Sequence, residues 1–155
     1  MAREWTNIDV LRMEKFLLLT RRYLGASLEV LKKSNWDKTQ VKAMIELWEE
    51  IPFNVTDVKV PNGMRFHCID ILVDELERVG ALSSEGENGD ENGEVPLEVL
   101  LGPLRGLASG SPVKAVRVKA RGALEDERLG GNEKVEEEKD GEEGDGEDEW
   151  GGIEE

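Results

Sequence analysis

Between Ile8 and Leu31 the apolar positions are Ile8, Leu11, Phe16, Leu18, Leu19, Tyr23, Leu24, Leu28 and Leu31, with no proline among them. Recurrence every three or four residues predicts a long α-helix. Because these positions occupy more than one face, the helix is expected to be sandwiched between neighbours. Thr6-Asn7-Ile8-Asp9 fits a capping box, with Thr6 accepting from the first free amides and Asp9 reaching back, which places the start near Asn7 or Ile8. Gly25 inside the helix costs about 1 kcal/mol relative to alanine and is expected to admit a closely approaching helix.

Ser34, Asn35 and Asp37 are capping residues that interrupt the period before a second amphipathic stretch, Val41, Met44, Ile45, Trp48 and Ile51. Pro52 ends it, since proline cannot continue the hydrogen-bond ladder. Residues 53–61 read as a loop; Val58-Lys59-Val60 has the composition of a strand but no partner, so no sheet is expected. Asn62-Gly63 is expected to cap a third helix from about Met64 to Val79, with Phe66, Ile69, Leu72, Val73, Leu76 and Val79 inward and Gly80 as its stop.

Residues 83–94 contain only Ser, Gly, Glu, Asn and Asp, which bury too little apolar surface to offset ordering entropy, so a disordered acidic linker is expected. Two shorter helical patterns follow, over 95–108 and, behind the Ser111-Pro112 start signal, over 113–129, with a break or kink at Gly102-Pro103. In the second, Val113, Val116, Ala120 and Leu124 make a thin apolar stripe. From Gly130 a Gly/Glu/Asp run reads as a disordered acidic tail, with Trp150 and Ile153 as isolated apolar residues. The fold class is therefore all-α, antiparallel helix pairs forming a partial solenoid or an irregular bundle. Its expected parts are a helical core at 1–80, the linker at 81–94, a helical pair at 95–129 and the tail at 130–155.

Charge follows the same division. The chain of 155 residues carries a net charge of −15, yet residues 1–80 hold 12 basic and 13 acidic groups and 95–129 hold 6 and 4. The excess acid sits in the linker, with 5 acids and no base, and in the tail, with 13 acids and 2 bases. No run approaches the roughly 20 apolar residues of a membrane span, and no basic-then-apolar leader opens the sequence, so an intracellular protein away from membranes is expected. For the same reason Asn54-Val55-Thr56 is not read as a glycosylation site. One cysteine, Cys68, and one histidine, His67, exclude a disulfide framework and a structural zinc site.

Catalytic groups are not assembled by this pattern. His67 and Cys68 are adjacent and so point about 100° apart on a helix, which argues against a thiol–imidazole pair. Asp70 and Asp74 are spaced to share a cation, but with Glu75, Glu77 and Arg78 they read better as a solvated face. No nucleophile, phosphate-binding glycine loop or small-molecule pocket is indicated, so no enzyme, cofactor or metal is expected. Lys114, Arg117, Lys119 and Arg121 form the one concentrated basic patch and are candidates for phosphate contact; without interleaved aromatics, base stacking is not expected.

Trp5-Thr-Asn-Ile-Asp9, Leu11-Arg-Met-Glu-Lys-Phe16, Arg21-Arg22 and Leu31-Lys-Lys-Ser-Asn-Trp36, followed by Pro61-Asn-Gly-Met-Arg-Phe-His-Cys-Ile-Asp70, Asp74-Glu-Leu76 and Val79-Gly80, resemble the ribosomal RNA processing protein 1 family. The resemblance is clear from Trp5 to Gly80 and looser from Pro96 to Leu129. It implies a non-catalytic helical scaffold of the nucleolus, an assembly factor in pre-rRNA processing and ribosome biogenesis within preribosomal particles, chiefly on the large-subunit pathway. Its implied partners are preribosomal proteins and pre-rRNA. Members carry more helical sequence ahead of the Trp-x-x-Ile-Asp segment, so the chain corresponds to a family domain lacking its N-terminal half, and the acidic tail stands where a basic extension is common.

Within the motif, Pro61 holds the loop extended and Asn62 and Gly63 form the turn, leaving Arg65 or His67 to project from the first helical turn. Asn62, Gly63, Arg65 and His67 are accordingly expected to form a partner-docking corner. The alternative function is an acidic chaperone whose tail shields basic ribosomal proteins or histones.

Overall fold

The computed structural model describes residues 2–82 and 94–130. The expected linker and tail fall almost wholly outside these. Among the described residues every regular element is helical, which bears out the all-α expectation: α1 is Val10–Lys33, α2 Lys38–Glu50, α3 Asn62–Arg78, α4 Leu97–Leu100, α5 Gly102–Gly110 and α6 Lys114–Leu124, with 3-10 turns at Ala2–Asn7 and Glu127–Leu129.

The first helix starts later than the capping box suggested. Residues Ala2–Asn7 wind as a 3-10 turn that buries Trp5, and the cap of α1 is Asp9, whose carboxylate accepts from the Arg12 amide at 3.0 Å and the Arg12 side chain at 2.6 Å. Burial of the Trp5 indole holds the preceding residues in the tighter turn, so Thr6 never reaches a capping position. The α1–α2 corner follows local chemistry closely. Asn35 and Trp36 take left-handed φ values of 53° and 56°, and the Trp36 amide closes back on the Leu31 carbonyl at 2.9 Å. A left-handed tryptophan is uncommon, and its indole is buried here, so packing offsets the strained backbone. Asp37 then caps α2 by accepting from the Gln40 amide.

α3 begins at Asn62 itself, with Pro61 as its N-cap residue, so Asn62 and Gly63 are its first helical residues rather than a preceding cap. Proline's fixed φ and missing N–H suit a helix entry and leave no donor to satisfy. Gly80, at φ 78°, ends it with the Ala81 amide bonded to the Leu76 carbonyl, and Lys32 of α1 donates to the Val79 carbonyl at 2.8 Å. The left-handed φ is what requires a residue without Cβ there. α4 and α5 are separated at Leu101, beside the expected Gly102-Pro103 break, and α6 stops at Leu124, short of 129, where a turn leads into Glu127–Leu129.

Cross-helix contacts fix the direction of packing. Leu17, Arg21, Gly25 and Lys32 of α1 meet His67, Glu75, Arg78 and Val79 in ascending order, so α1 and α3 run parallel. Lys119 meets Asp70, and Arg128 beyond α6 meets Asp74 and Glu77, so α6 runs parallel to α3 on its other side. α2, α4 and α5 pack together as the returning row, joined to the first by α1–α2 and α5–α6. Parallel helices in one row with the connecting helices in another are the arrangement of a short solenoid. One core runs through both rows, with Leu28, Leu31, Phe53, Leu72, Leu76, Leu100, Leu104, Leu107 and Val116 fully buried. α3 is central and buries most of its circumference.

Neither side of α1 is equally covered. Leu24, Leu28 and Leu31 face α3 and the core, but Leu11, Leu18, Leu19, Tyr23 and Val30 are exposed, Leu11 at 90% and Tyr23 at 65%. The expected sandwich is thus filled on one side only.

Candidate docking surfaces

The turn from α2 to α3 is organised around Arg65. Its side chain is buried, at 4% exposure, and its guanidinium donates to the backbone carbonyls of Asn54 at 2.9 Å, Asp57 at 2.7 Å and Val60 at 2.5 Å, and to the Asn62 side chain at 3.2 Å. A guanidinium presents donors in a planar fork, which lets one residue gather carbonyls from three points of a loop. Burial lowers its pKa below the usual arginine range, and Asp57 partly offsets this. The loop supports itself as well: Asn54 Oδ1 accepts from the Thr56 and Asp57 amides, and Asp57 Oδ1 from the Lys59 amide.

The four residues of the expected docking corner therefore separate. Asn62 and Gly63 are exposed at the surface. Gly63 lies against Trp5: a Cβ there would stand 3.1 Å from the indole nitrogen, which ties the tryptophan of the first motif to the glycine of the second. Arg65 is interior. His67 is half-buried, its Nε2 2.9 Å from the Leu17 carbonyl of α1, so it joins two helices instead of projecting. Beside Asn62 opens a shallow cleft of about 140 Å³ between the 55–62 loop and the Ser111–Val113 turn, with Val58 on its rim at 89% exposure. Next to His67, Cys68 is buried and its thiol is pushed up to about 12 by desolvation, so the two side chains form no catalytic pair.

The basic residues of α6 also divide. Lys114, Arg117 and Arg121, spaced three and four residues apart, share one face of the helix. Lys119 lies on another, bonded to Asp70 at 2.7 Å and 5.8 Å from the centre of the Phe66 ring. Arg117 donates to the Ser111 carbonyl at 2.7 Å, and Arg121 has a buried Nε without a hydrogen-bond partner.

Besides the burial of Arg65, sequence reasoning missed that of a carboxylate. Glu75, taken for part of a solvated face, is 3% exposed and bridges Arg21 of α1 and Arg78 of α3, each at 2.6 Å, while Arg78 also reaches Glu29 at 2.8 Å. Gly25 makes this possible: a Cβ there would stand 2.5 Å from the Glu75 carboxylate. The Glu75–Arg78 spacing was visible, but only tertiary contact with Gly25 and Arg21 buries the acid. Asp70 and Asp74 are likewise engaged by Lys119, Arg128 and Arg21, and among the described residues no cluster of His, Cys, Asp and Glu is arranged to hold a metal.

The family model described as "Nucleolar protein, Nop52" matches residues 1–154. The chain belongs to the Nop52 family of nucleolar proteins. Among this Nop52-family chain's relatives, it is 43% identical over 81 residues to human ribosomal RNA processing protein 1 homolog B and 42% identical over 81 residues to human homolog A. It is also 32% identical over 85 residues to the homolog from Caenorhabditis elegans. These stretches cover 52%, 52% and 55% of the chain but only 10%, 17% and 21% of the relatives, so the chain spans a minor part of the proteins it matches.

Proposed function

We propose that this chain acts in ribosome biogenesis, as a non-catalytic helical scaffold for pre-rRNA processing in the nucleolus, within preribosomal particles of the large-subunit pathway. The names of its relatives support the process. The observation that carries the scaffold reading is the Arg65-centred corner: a surface loop fixed from inside by four hydrogen bonds presents Val58, Asn62 and the adjoining cleft with little left to order on binding. Such preorganisation lowers the entropic cost of docking another protein. The helical core at 1–80 supplies that corner, and the 95–129 pair supplies a second surface, on which Lys114, Arg117 and Arg121 meet rRNA phosphate while Lys119 stays with Asp70.

Affinity capture of the tagged full chain from nuclear extract tests this reading. Precursor rRNA and preribosomal proteins are expected with the wild type and are expected to fall off in Val58→Glu plus Thr56→Arg, two exposed substitutions on the cleft that leave the hydrogen bonds of Arg65 intact. Retention of both by the double variant contradicts docking at this corner. Deleting the acidic tail at Gly130 separates the rival account, since a tail-based chaperone loses its basic clients and a corner-docked scaffold keeps its particle.

A further inference from the structure

α1 carries six basic and two acidic residues in a chain whose net charge is −15. Half of its cations are committed inside the molecule: Arg21 bonds to Glu75, Lys32 to the Val79 carbonyl and Arg12 to Asp9. Lys15, Arg22 and Lys33 are exposed, and no ion pair holds them among the described residues. Spacings of seven and eleven residues return them to one side of the helix, opposite the buried Leu24, Leu28 and Leu31. Of the two acids, Glu29 is bonded to Arg78, and Glu14 lies about 100° round the helix from Lys15.

The same side is apolar. Leu11, Leu18, Leu19, Ala26 and Val30 are exposed among these cations, and beside Leu18 and Ala26 a groove of about 390 Å³ opens against α3. Its Arg21 and Arg78 are paired with Glu75 and Glu29, so the groove suits an apolar side chain while acids find the free cations on the rim. The eighteen residues from Lys15 to Lys33 make about 27 Å of helix. An apolar ridge of that length, with one sign of charge beside it, matches a second helix laid along it. A second copy joined through this face would set the same three cations against each other. A nucleic acid backbone would meet the carboxylates of the groove and leave the apolar ridge uncovered.

We infer that the outer face of α1 docks an acidic amphipathic helix of another protein. Its apolar stripe lies on Leu11, Leu19 and Val30, one side chain enters the groove beside Leu18, and its acids stand beside Lys15, Arg22 and Lys33. This surface is separate from the Arg65 corner, so either can fail alone.

Photo-crosslinking in cells with the full chain carrying Tyr23→p-benzoylphenylalanine tests it, because Tyr23 is exposed next to Arg22. The expected product joins position 23 to a peptide of a different protein, with apolar residues at helical spacing and more acids than bases. Synthesised alone, that peptide is expected to bind the purified full chain, and to bind about tenfold more weakly both to Lys15→Glu plus Arg22→Glu and to Leu19→Ser. Both variants change exposed side chains only, and urea unfolding at the wild-type midpoint is expected for each. A product with RNA, with a second copy, within the chain or with a basic peptide overturns the inference. So does the absence of a product, or undiminished binding by the two variants.

Discussion

Arg65 is the position where the account is most exposed to a single substitution. Arg65→Ala removes the donor from three backbone carbonyls and one side-chain amide in a buried setting. Each buried acceptor left without a partner costs about 1–3 kcal/mol. The adjoining cleft lets water reach some of them, so the total expected is about 3–5 kcal/mol, a large part of the 5–15 kcal/mol by which a domain is usually stable. At roughly 4 °C per kcal/mol for a domain of this size, Tm falls by about 12–20 °C. Arg65→Lys keeps charge and length but concentrates its donors at one nitrogen, which cannot serve carbonyls lying in three directions, so it is expected to recover less than half of the loss. Urea unfolding followed by tryptophan fluorescence gives the energy, and hydrogen exchange at the 55–60 amides locates it. A loss under about 1 kcal/mol for Arg65→Ala, or full recovery by lysine, refutes the assignment of this side chain as the organiser of the corner.

Four further outcomes follow from the same geometry. Folded Cys68 is expected to resist thiol reagents at pH 8 and to react only through global opening, so labelling as fast as a free thiol contradicts its burial. Because the folded thiol sits near 12 and the ordinary value is 9.0, the unfolded state loses its proton first; stability is expected to fall as pH rises above 9, and the fall to be shallower in Cys68→Ala, as pH-dependent unfolding checks. Glu75→Ala is expected to cost about 2–3 kcal/mol, less than a fully buried ion pair because Arg21 and Arg78 are 40% and 47% exposed, and a neutral result in urea unfolding contradicts the bridge between α1 and α3. For RNA association, Lys114→Glu and Arg121→Glu are each expected to lower the salt-dependence slope by about 1 and Lys119→Glu to leave it unchanged, and equal effects from all three contradict the division of the α6 cations.

The longer helices were legible in the sequence because they carry apolar residues at helical spacing, with capping residues ahead of α1 and α2, Pro52 after α2 and Gly80 after α3. What periodicity alone did not settle was which apolar residues are covered. Leu19, Tyr23 and Val30 count toward a second buried face of α1 by pattern, and only the packed structure leaves them outside. Boundaries shifted where tertiary burial overrode local chemistry: Trp5 is packed against Gly63, which moves the cap from Thr6 to Asp9. Polar residues were the least readable. Arg65 and Glu75 look like surface charges in sequence, and both are interior, one because a loop folds its carbonyls around it and the other because Gly25 leaves room. Of the motif around Pro61, Arg65 lies inside and holds the 54–60 loop, His67 joins α3 to α1, and Asn62 and Gly63 stay at the surface.

Gradient sedimentation of the tagged full chain from cell extract, with identification of the co-migrating RNA, tests the scaffold most directly. Migration with precursor rRNA in large-subunit particles, lost in Val58→Glu plus Thr56→Arg, is the expected result. Migration only as free protein at the top of the gradient contradicts it.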